Sequence, residues 1–185
     1  SIVIGSKNFK EFLKGAESMD LHFRNSPFEK NIPVILALIS IWYNNFFKCE
    51  TEAVLPYNQF LGKLPDYLQQ ASMESNGKGI DRSGNKINYE TGSIIWGSTG
   101  TNAQHAFFQL MHQGTKIIPS DFIAFKKSLY GDKAQHDILT SNFLAQTNAL
   151  MMGKITNRIE NHKNIDGNKP SNSIVINKLS PSNLG

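Results

Sequence analysis

The sequence predicts an α/β fold, a three-layer α/β/α sandwich in which a mostly parallel sheet of about four or five strands lies between two layers of helices. Short apolar runs alternate along the chain with segments of helical periodicity, as in strands joined by crossover helices. The chain has 185 residues, of which 39% are hydrophobic, so one domain with a sizeable core is expected. The sequence shows no internal repeat.

Two helices are predicted to come first, within residues 1–47. Apolar side chains recur at helical spacing from Phe9 to Phe23, with charged side chains opposite them. A second helix is predicted to open with Asn31 as its cap and Pro33 in its first turn, and to end near Phe47. Because residues 32–43 are nearly all apolar, we expect this helix to be buried. The run is shorter than the roughly 20 residues that a bilayer requires, so it is not a membrane span.

The sheet core is predicted over residues 51–178. Its predicted elements are, in order, a strand at 51–57, a helix at 61–73, a hairpin or surface loop at 81–86, a strand at 93–97, a helix at 102–113, a strand at 116–125, a helix at 137–152 and a strand at 173–176. Residues 153–173 are poor in large apolar side chains, which indicates a mobile connection.

The two ends of the chain predict a domain that is truncated on both sides. Residues 179–185 have the pattern of a helix start, with Ser180 as cap and Pro181 in the first turn, and the chain stops there. Residues 2–4 are apolar and no methionine precedes them. We therefore expect residues 1–185 to be one partial domain that leaves apolar surface near both ends.

Charge and cysteine content exclude several classes of protein. The net charge of +4 is spread along the chain, whereas nucleic-acid-binding surfaces cluster their cations, so no nucleic acid is expected as a partner. Cys49 is the single cysteine, and alone it forms neither an internal disulfide nor a zinc site. With no leader pattern at the N-terminus, we expect a cytoplasmic protein that binds no membrane.

The first candidate site is residues 69–78, where the carboxylate of Glu74 comes at a predicted helix end among amides and a glycine. A carboxylate held in such a place can act as a general base. An exposed glutamate at a helix end, without any function, fits the same pattern because isolated glutamates are common on surfaces. Spacing alone leaves both interpretations open.

The second candidate site is residues 96–105, a strand end, a glycine-containing loop and a helix start. We expect His105 in the first turn of this helix, where the helix dipole favours anions and keeps the imidazole neutral. A neutral imidazole can pass protons near neutral pH. A plain structural turn is the alternative. No Lys-Ser or Lys-Thr pair follows Gly100 and the dinucleotide glycine spacing is missing, so no nucleotide is expected.

Motifs across nearly the whole chain resemble the glucose-6-phosphate isomerase family. They are Met73-Glu74-Ser75-Asn76-Gly77-Lys78, Gly100-Thr101-Asn102, Gln104-His105-Ala106-Phe107, His112-Gln113-Gly114-Thr115-Lys116 and Asn142-Phe143-Leu144-Ala145-Gln146-Thr147. The sequence departs from the family pattern at Ser98-Thr99, where the family has Glu-Pro, and at Ala103, where it has Gly. The resemblance implies most of the second of the family's two sugar-isomerase (SIS) domains.

By this resemblance, Glu74 is the base that moves a proton between C1 and C2 of the sugar through a cis-enediol, and His105 assists ring opening. The residues that bind the substrate are Gln70, Gly77, Lys78 and Asn102, with Gln70 beside the phosphate. The implied substrates are glucose 6-phosphate and fructose 6-phosphate, in glycolysis and gluconeogenesis, and no metal or cofactor is needed. Such chemistry requires a carboxylate held close to the carbon that loses its proton.

The resemblance also implies a homodimer, because the family's active site lies at a dimer interface and the histidine comes from the neighbouring subunit. The chain is then only part of the enzyme and inactive alone, since the family's arginine, phosphate loop and C-terminal lysine have no counterpart in it. A non-catalytic sugar-phosphate-binding SIS module is the alternative function. Glu74 together with His105 disfavours that alternative, because a binding module needs no base.

Overall fold

A computed structural model of the chain describes residues 3–156 and 158–185, and these residues contain one sheet of four parallel strands. The strands are β1 (Thr51–Pro56), β2 (Ile94–Gly97), β3 (Ser120–Phe125) and β4 (Ser171–Ile176). Their order across the sheet is β2-β1-β3-β4, and every neighbouring pair is parallel. The predicted parallel sheet is confirmed. Ile2, from the predicted apolar start, lies outside the described residues.

The helices of the described residues lie before the first strand, between the strands and after the last one. They are α1 (Gly5–Asn25), α2 (Ile32–Ile41), α3 (Leu64–Leu68), α4 (Gly100–Ala106), α5 (Phe108–Gln113), α6 (Lys133–Met152) and α7 (Pro181–Leu184). Short 3₁₀ turns occur at Phe28–Lys30, Gln59–Leu61 and Arg158–Lys163, and π-helical turns at Trp42–Phe46 and Gln69–Glu74. Parallel strands need such crossover connections.

Side chains of the central strands alternate between two cores, one on each face of the sheet. On β1, Ala53 and Leu55 face the first core and Val54 faces the second. On β3, Phe122 faces the first and Ile123 the second. All five are at most 9% exposed. Strands buried on both faces read as continuous apolar runs, which is why the sequence shows β1 and β3 clearly.

Helices α4, α5 and α6 cover the first face. Its centre is a group of aromatic rings, Tyr57, Phe122 and Phe143, with ring centroids 5.5 to 6.2 Å apart. Helix α6 begins at Lys133, ahead of the predicted residue 137, because the Asp132 side chain accepts a hydrogen bond from the N–H of Gln135 at 3.1 Å.

The second face is covered by α3 and by the segment before α7. Leu64 and Leu68 of α3, together with Leu179, pack against Val54 and Ile123. Helices therefore cover both faces, and the predicted three-layer α/β/α sandwich is confirmed.

The two leading helices exist as predicted, but the second is not buried. Asn31 caps α2, accepting from the N–H of Val34 at 3.4 Å, and the helical path continues through the turn Trp42–Phe46. No residue of α2 is buried, and Leu38 is 59% exposed. The expectation of a buried helix is wrong for the described residues, because they place nothing over the outer side of α2.

The last helix and the long connection complete the chain. Helix α7 has the predicted cap, since Ser180 Oγ accepts from the N–H of Asn183 at 3.2 Å, and α7 packs on α1. Within residues 153–173, Lys154 and Ile165 form an antiparallel bridge. A similar bridge between Ile80 and Lys86 gives the predicted small hairpin. In the described part of the chain no helix combines the length and the hydropathy that crossing a membrane requires.

Candidate functional site

The segment that carries Glu74 begins as α3 and continues as the π-helical turn Gln69–Glu74. Pro65 lies in the first turn of α3, where its missing N–H costs no hydrogen bond. The helical path ends shortly after Glu74, and the N–H of Gly77 donates to the carbonyl of Met73 at 2.9 Å. Glu74 therefore lies near a helix end, as predicted, with its side chain exposed.

The other predicted substrate-binding residues of this segment, Gln70, Gly77 and Lys78, are exposed as well. Lys78 Nζ donates to the carbonyl oxygens of Glu74 and Ser75, both at 2.8 Å. The free carbonyls at a helix C-terminus carry partial negative charge and favour a cation there. Lys78 thus caps the helix and keeps a positive charge beside the candidate base.

Two side chains of the π-helical turn attach it to strand β2 at the edge of the sheet. Gln69 Nε2 donates to the carbonyl oxygen of Ile95 at 2.9 Å, and the N–H of Ile95 donates to Met73 Sδ at 3.4 Å. In the sequence, Met73 is one of the apolar side chains at helical spacing, and no pattern assigns a role to Gln69. A side chain that bonds to the edge of a strand leaves no periodic signal in the sequence.

A cavity of about 580 Å³ opens beside the end of this segment. Asn76 and Lys78 form one wall, and Glu90 belongs to the loop that forms another. Asn45 ties that loop to the turn Trp42–Phe46, since its Nδ2 donates to the carbonyl of Glu90 at 3.2 Å and its Oδ1 accepts from the N–H of Glu90 at 2.9 Å. Ligand pockets commonly have volumes of this order, so a small ligand has room beside Lys78.

The histidine segment follows β2. Gly97 ends the strand with φ +152, and a Cβ there would lie 2.0 Å from the carbonyl oxygen of Val54, so the close pairing of β2 with β1 requires glycine. Helix α4 then begins at Gly100, earlier than the predicted residue 102, and it stops at Phe107, whose φ of −141 breaks the helical path before α5.

His105 consequently lies in the last turn of α4, and the expectation that it lies in a first turn is wrong. His105 therefore lies at the C-terminal, negative pole of the helix dipole and not at the N-terminal pole that the sequence predicted. His105 and Asn102 are both exposed, and their spacing of three puts them on one side of α4. Their neighbour Gln104 is anchored instead, because its Nε2 donates to the hydroxyl of Tyr57 at 3.1 Å.

The structure does not bring Glu74 and His105 together within one chain. Glu74 follows α3, which packs through Leu64 and Leu68 on the second face of the sheet. His105 belongs to α4, which packs through Ala103 on the first face. The sheet therefore lies between helices α3 and α4.

A pair of half-buried carboxyl groups was not anticipated from the sequence. Glu52 on β1 hydrogen-bonds Asp121 on β3, beside a cavity of about 110 Å³ under α2. Burial, then the charge of Asp121, raises the pKa of Glu52 to about 7, and burial raises the pKa of Asp121 as well. Ser40 of α2 donates to Glu52 at 3.5 Å and Asn172 of β4 donates to Asp121 at 2.8 Å. The sequence signal that could have revealed this pair is the acidic residue within each of two otherwise apolar strands.

Comparison with known proteins gives a match over the whole chain. The family model described as phosphoglucose isomerase matches residues 1–185. The glucose-6-phosphate isomerase of Christiangramia forsetii is 54% identical over 202 residues, which cover 100% of this chain and 37% of that protein. That of Wigglesworthia glossinidia brevipalpis is 52% identical over 199 residues, which cover 100% of this chain and 36% of that protein.

Solved structures agree with this match. The crystal structure of a glucose-6-phosphate isomerase from Chlamydia trachomatis superposes with a TM-score of 0.88 at 39% identity, covering 96% of this chain and 35% of that one. A hypothetical protein from Thermus thermophilus superposes with a TM-score of 0.72 at 20% identity, covering 94% and 40%, and shows the fold alone. The chain spans 36% to 37% of the length of the two curated relatives named above.

Proposed function

Because the chain belongs to the phosphoglucose isomerase family, we propose that it forms part of a glucose-6-phosphate isomerase, with glucose 6-phosphate and fructose 6-phosphate as the substrates. The observation that carries the proposal is Glu74, an exposed carboxylate at a helix end, with Lys78 bonded to its backbone carbonyl and a cavity beside Lys78. This is the geometry that a base acting on a bound sugar phosphate requires: an accessible carboxylate and a nearby cation.

In the proposed reaction, Glu74 takes the proton from the carbon next to the sugar's carbonyl and returns it to the other carbon. The electron pair left on that carbon forms the C1=C2 double bond of a cis-enediol while the former carbonyl oxygen gains a proton. The neighbouring hydroxyl then loses its proton and becomes the new carbonyl, as the double-bond electrons take the proton back from Glu74 at the other carbon. His105 exchanges a proton with the ring oxygen when the sugar ring opens. Gln70, Gly77, Lys78 and Asn102 bind the substrate, and Lys78 supplies positive charge for the phosphate or the enediolate.

We propose further that the enzyme is a homodimer in which His105 serves the site of the neighbouring subunit. The helix before Glu74 packs on one face of the sheet and the helix of His105 packs on the other, which supports a site shared between two copies. The cytoplasm is the compartment in which we place the enzyme, in keeping with its sugar phosphate substrates and a cysteine that needs no disulfide.

The base assignment is tested with Glu74→Gln in the full-length enzyme. The amide keeps the shape of the carboxyl group but takes no proton, so we expect kcat to fall by about a thousandfold or more while KM changes little. Glu17→Gln, an exposed glutamate on α1, is the control and retains full activity. Near-normal isomerisation of fructose 6-phosphate by the Glu74→Gln enzyme would show that Glu74 is not the base.

The shared site is tested by mixing subunits of Glu74→Gln with subunits of His105→Asn. If His105 acts across the interface, a mixed dimer contains one site with both substitutions and one intact site, and it regains about half of the normal activity. If each subunit uses its own His105, every site in the mixed dimer carries one substitution and the mixture stays inactive.

A further inference from the structure

Strand β2 leaves backbone hydrogen-bonding groups unpaired because it lies at the edge of the sheet. On one side it pairs with β1, where the N–H of Ile94 donates to the carbonyl of Glu50 at 2.9 Å. In a strand, the N–H and C=O of the next residue point the other way, so those of Ile95 face the open edge. An uncovered edge exposes such groups to solvent or to a foreign strand.

Both open groups of Ile95 are taken by side chains of the π-helical turn Gln69–Glu74. The carbonyl oxygen accepts from Gln69 Nε2 at 2.9 Å, and the N–H donates to Met73 Sδ at 3.4 Å. Ile95 itself is 9% exposed and packs in the second core. The helical turn is therefore attached at two points to a residue that the core already fixes. We call this pair of bonds the Ile95 clasp.

The candidate base has no comparable attachment of its own. Glu74 is exposed, and in the described part of the chain no side chain is bonded to its carboxylate. The hydrogen bond that Lys78 Nζ makes to Glu74 goes to the backbone carbonyl of Glu74. The position of the carboxylate therefore depends on the helical backbone that carries Glu74. The Ile95 clasp holds this backbone in place.

The spacing of the clasp matches the spacing of the proposed site. Gln69 precedes Gln70, the residue assigned to the phosphate, and Met73 precedes Glu74, the residue assigned to the proton. A rotation of the turn about its axis moves both assigned residues together. π-Helical turns wind less tightly than the α-helix and often occur at functional sites, where one extra residue changes the direction of a side chain. A contact that fixes the rotation of this turn fixes the direction of Glu74.

We propose that Gln69 and Met73 are positioning residues for catalysis, which clasp Ile95 and so set the rotation at which Glu74 and Gln70 meet the substrate. The proposal rests on the proposed isomerase function. Neither residue touches the substrate, and both act through the backbone that they hold.

The role of Gln69 is tested in the full-length enzyme with Gln69→Glu, whose carboxylate cannot donate to the carbonyl of Ile95. We expect kcat to fall by about tenfold to a hundredfold, because displacing a catalytic group by about 1 Å costs on the order of a hundredfold. KM is expected to change less than about threefold, since the rest of the enzyme still binds the phosphate. Gln69→Lys places a donor again at this exposed position, so we expect it to have most of the normal kcat. If the loss in Gln69→Glu came from general destabilisation of the fold, Gln69→Lys would not recover it.

Gln59→Glu is the matched control, because it makes the same change of charge at an exposed glutamine outside the clasp and should leave kcat unaltered. An unaltered kcat in Gln69→Glu, or a loss that Gln69→Lys fails to recover, would overturn the positioning role.

The role of Met73 is tested on the 185-residue chain itself with Met73→Leu, which keeps the side-chain volume and removes the sulfur acceptor. We expect the Ile95 amide to exchange with deuterium several-fold faster in the variant, while the amides of β1 are unchanged. Equal exchange of the Ile95 amide in both chains would overturn the clasp, whatever the enzyme's activity.

Failure of the proposed function is distinguishable from failure of this inference. If Glu74→Gln keeps full activity, the base assignment is wrong and the positioning role falls with it. If Glu74→Gln is inactive and Gln69→Glu has normal kcat, only the positioning role is wrong.

Discussion

At Glu52, burial and a neighbouring carboxyl group act in the same direction. Both favour the protonated form, and they raise the pKa of Glu52 to about 7, above its ordinary value of 4.5. The folded chain therefore binds this proton more tightly than the unfolded chain does. Between about pH 4.5 and pH 7 the folded state holds the proton and the unfolded state has lost it, so stability falls as pH rises through this window. Above it, the two negative charges repel and the loss is complete.

Glu52→Gln is expected to remove this pH dependence, because the amide stays neutral and can still donate to Asp121. At about pH 8 the variant should be more stable than the natural chain by about 2 kcal/mol, since one unit of pKa is worth about 1.4 kcal/mol and solvent screens part of the shift. At about pH 4.5 the two should be equal. Urea unfolding across this range measures the difference, with the exposed Glu50→Gln as the control. A difference in unfolding free energy that does not change with pH would contradict the raised pKa of Glu52.

Residues near helix ends show what the sequence can and cannot locate. Glu74 was placed at a helix end correctly because Gly77 marks the stop. His105 was placed in the wrong turn because the apolar spacing of residues 102–113 continues through Phe107, where the backbone leaves the helical path. Periodicity records which side chains face the core, and α4 and α5 share one core face although the backbone breaks between them.

Helices α1 and α7 meet at a point where no side chain fits. A Cβ on Gly15 would lie 1.9 Å from the carbonyl oxygen of Ser182, so the two backbones touch directly. Most Gly→Ala changes within a helix stabilise a protein by about 1 kcal/mol. At Gly15 we expect the steric cost of displacing α7 to exceed this gain in stability.

Gly15→Ala is therefore expected to destabilise the chain by about 1 to 3 kcal/mol in urea unfolding. In a chain that ends before Ser180 the obstruction is gone, and the same substitution should stabilise by about 1 kcal/mol. Destabilisation of equal size in both chains would mean that the contact with α7 is not its cause.

The helix predicted over residues 61–73 illustrates a limit at the scale of elements. The apolar spacing correctly indicated a helical segment packed on the sheet through Leu64 and Leu68. The structure divides it into a 3₁₀ turn, the short helix α3 and a π-helical turn. The π-helical turn accompanies bonds from Gln69 and Met73 to Ile95, residues distant in sequence, and tertiary contacts of this kind are not encoded in local spacing.

For the whole molecule, the number and direction of the strands could be predicted from the alternation of apolar runs and helices. Their order could not, because β1 and β3 are adjacent while β2 lies between them in sequence. Burial of α2 was predicted from its composition and is absent, since composition reports what a helix can bury and not what covers it. The candidate site followed from motif resemblance, whereas the Ile95 clasp and the Glu52 pair depend on contacts across the sheet.

The outer side of α2 and the turn after it form an apolar surface, the α2 patch. Its members, each at least 50% exposed, are Ile32, Leu38, Ile41, Trp42, Phe46 and Phe47. Exposed apolar surface of this kind favours association. We expect the isolated chain to associate with itself at micromolar concentration, as measured by sedimentation velocity.

Leu38→Lys together with Trp42→Lys is expected to weaken this association by about tenfold or more, because a charge placed in an apolar contact is costly to desolvate. Leu144→Lys is the control, at a leucine that is 57% exposed on α6 outside the patch. If the control weakens association as much as the double variant does, the α2 patch is not the contact.

The isolated chain is expected not to isomerise glucose 6-phosphate. Within one copy, the helix before Glu74 and the helix of His105 pack on opposite faces of the sheet, so we expect that one copy does not hold both side chains on one substrate. Lys78 Nζ gives two of its three N–H donors to backbone carbonyls, which leaves one for the substrate. An enediolate formed at Glu74 would then lack most of the preorganised donors that often supply the largest catalytic contribution.

A coupled assay at high chain concentration tests this, with the Glu74→Gln version of the same chain as the blank. Both preparations should give the rate of buffer alone. Turnover that the natural chain shows and the Glu74→Gln chain lacks would contradict the prediction, because it would mean that copies of this chain complete the site between them. Adding His105→Asn chain to the blank would then reveal the arrangement: activity restored by mixing requires that the histidine of one copy reach the base of another.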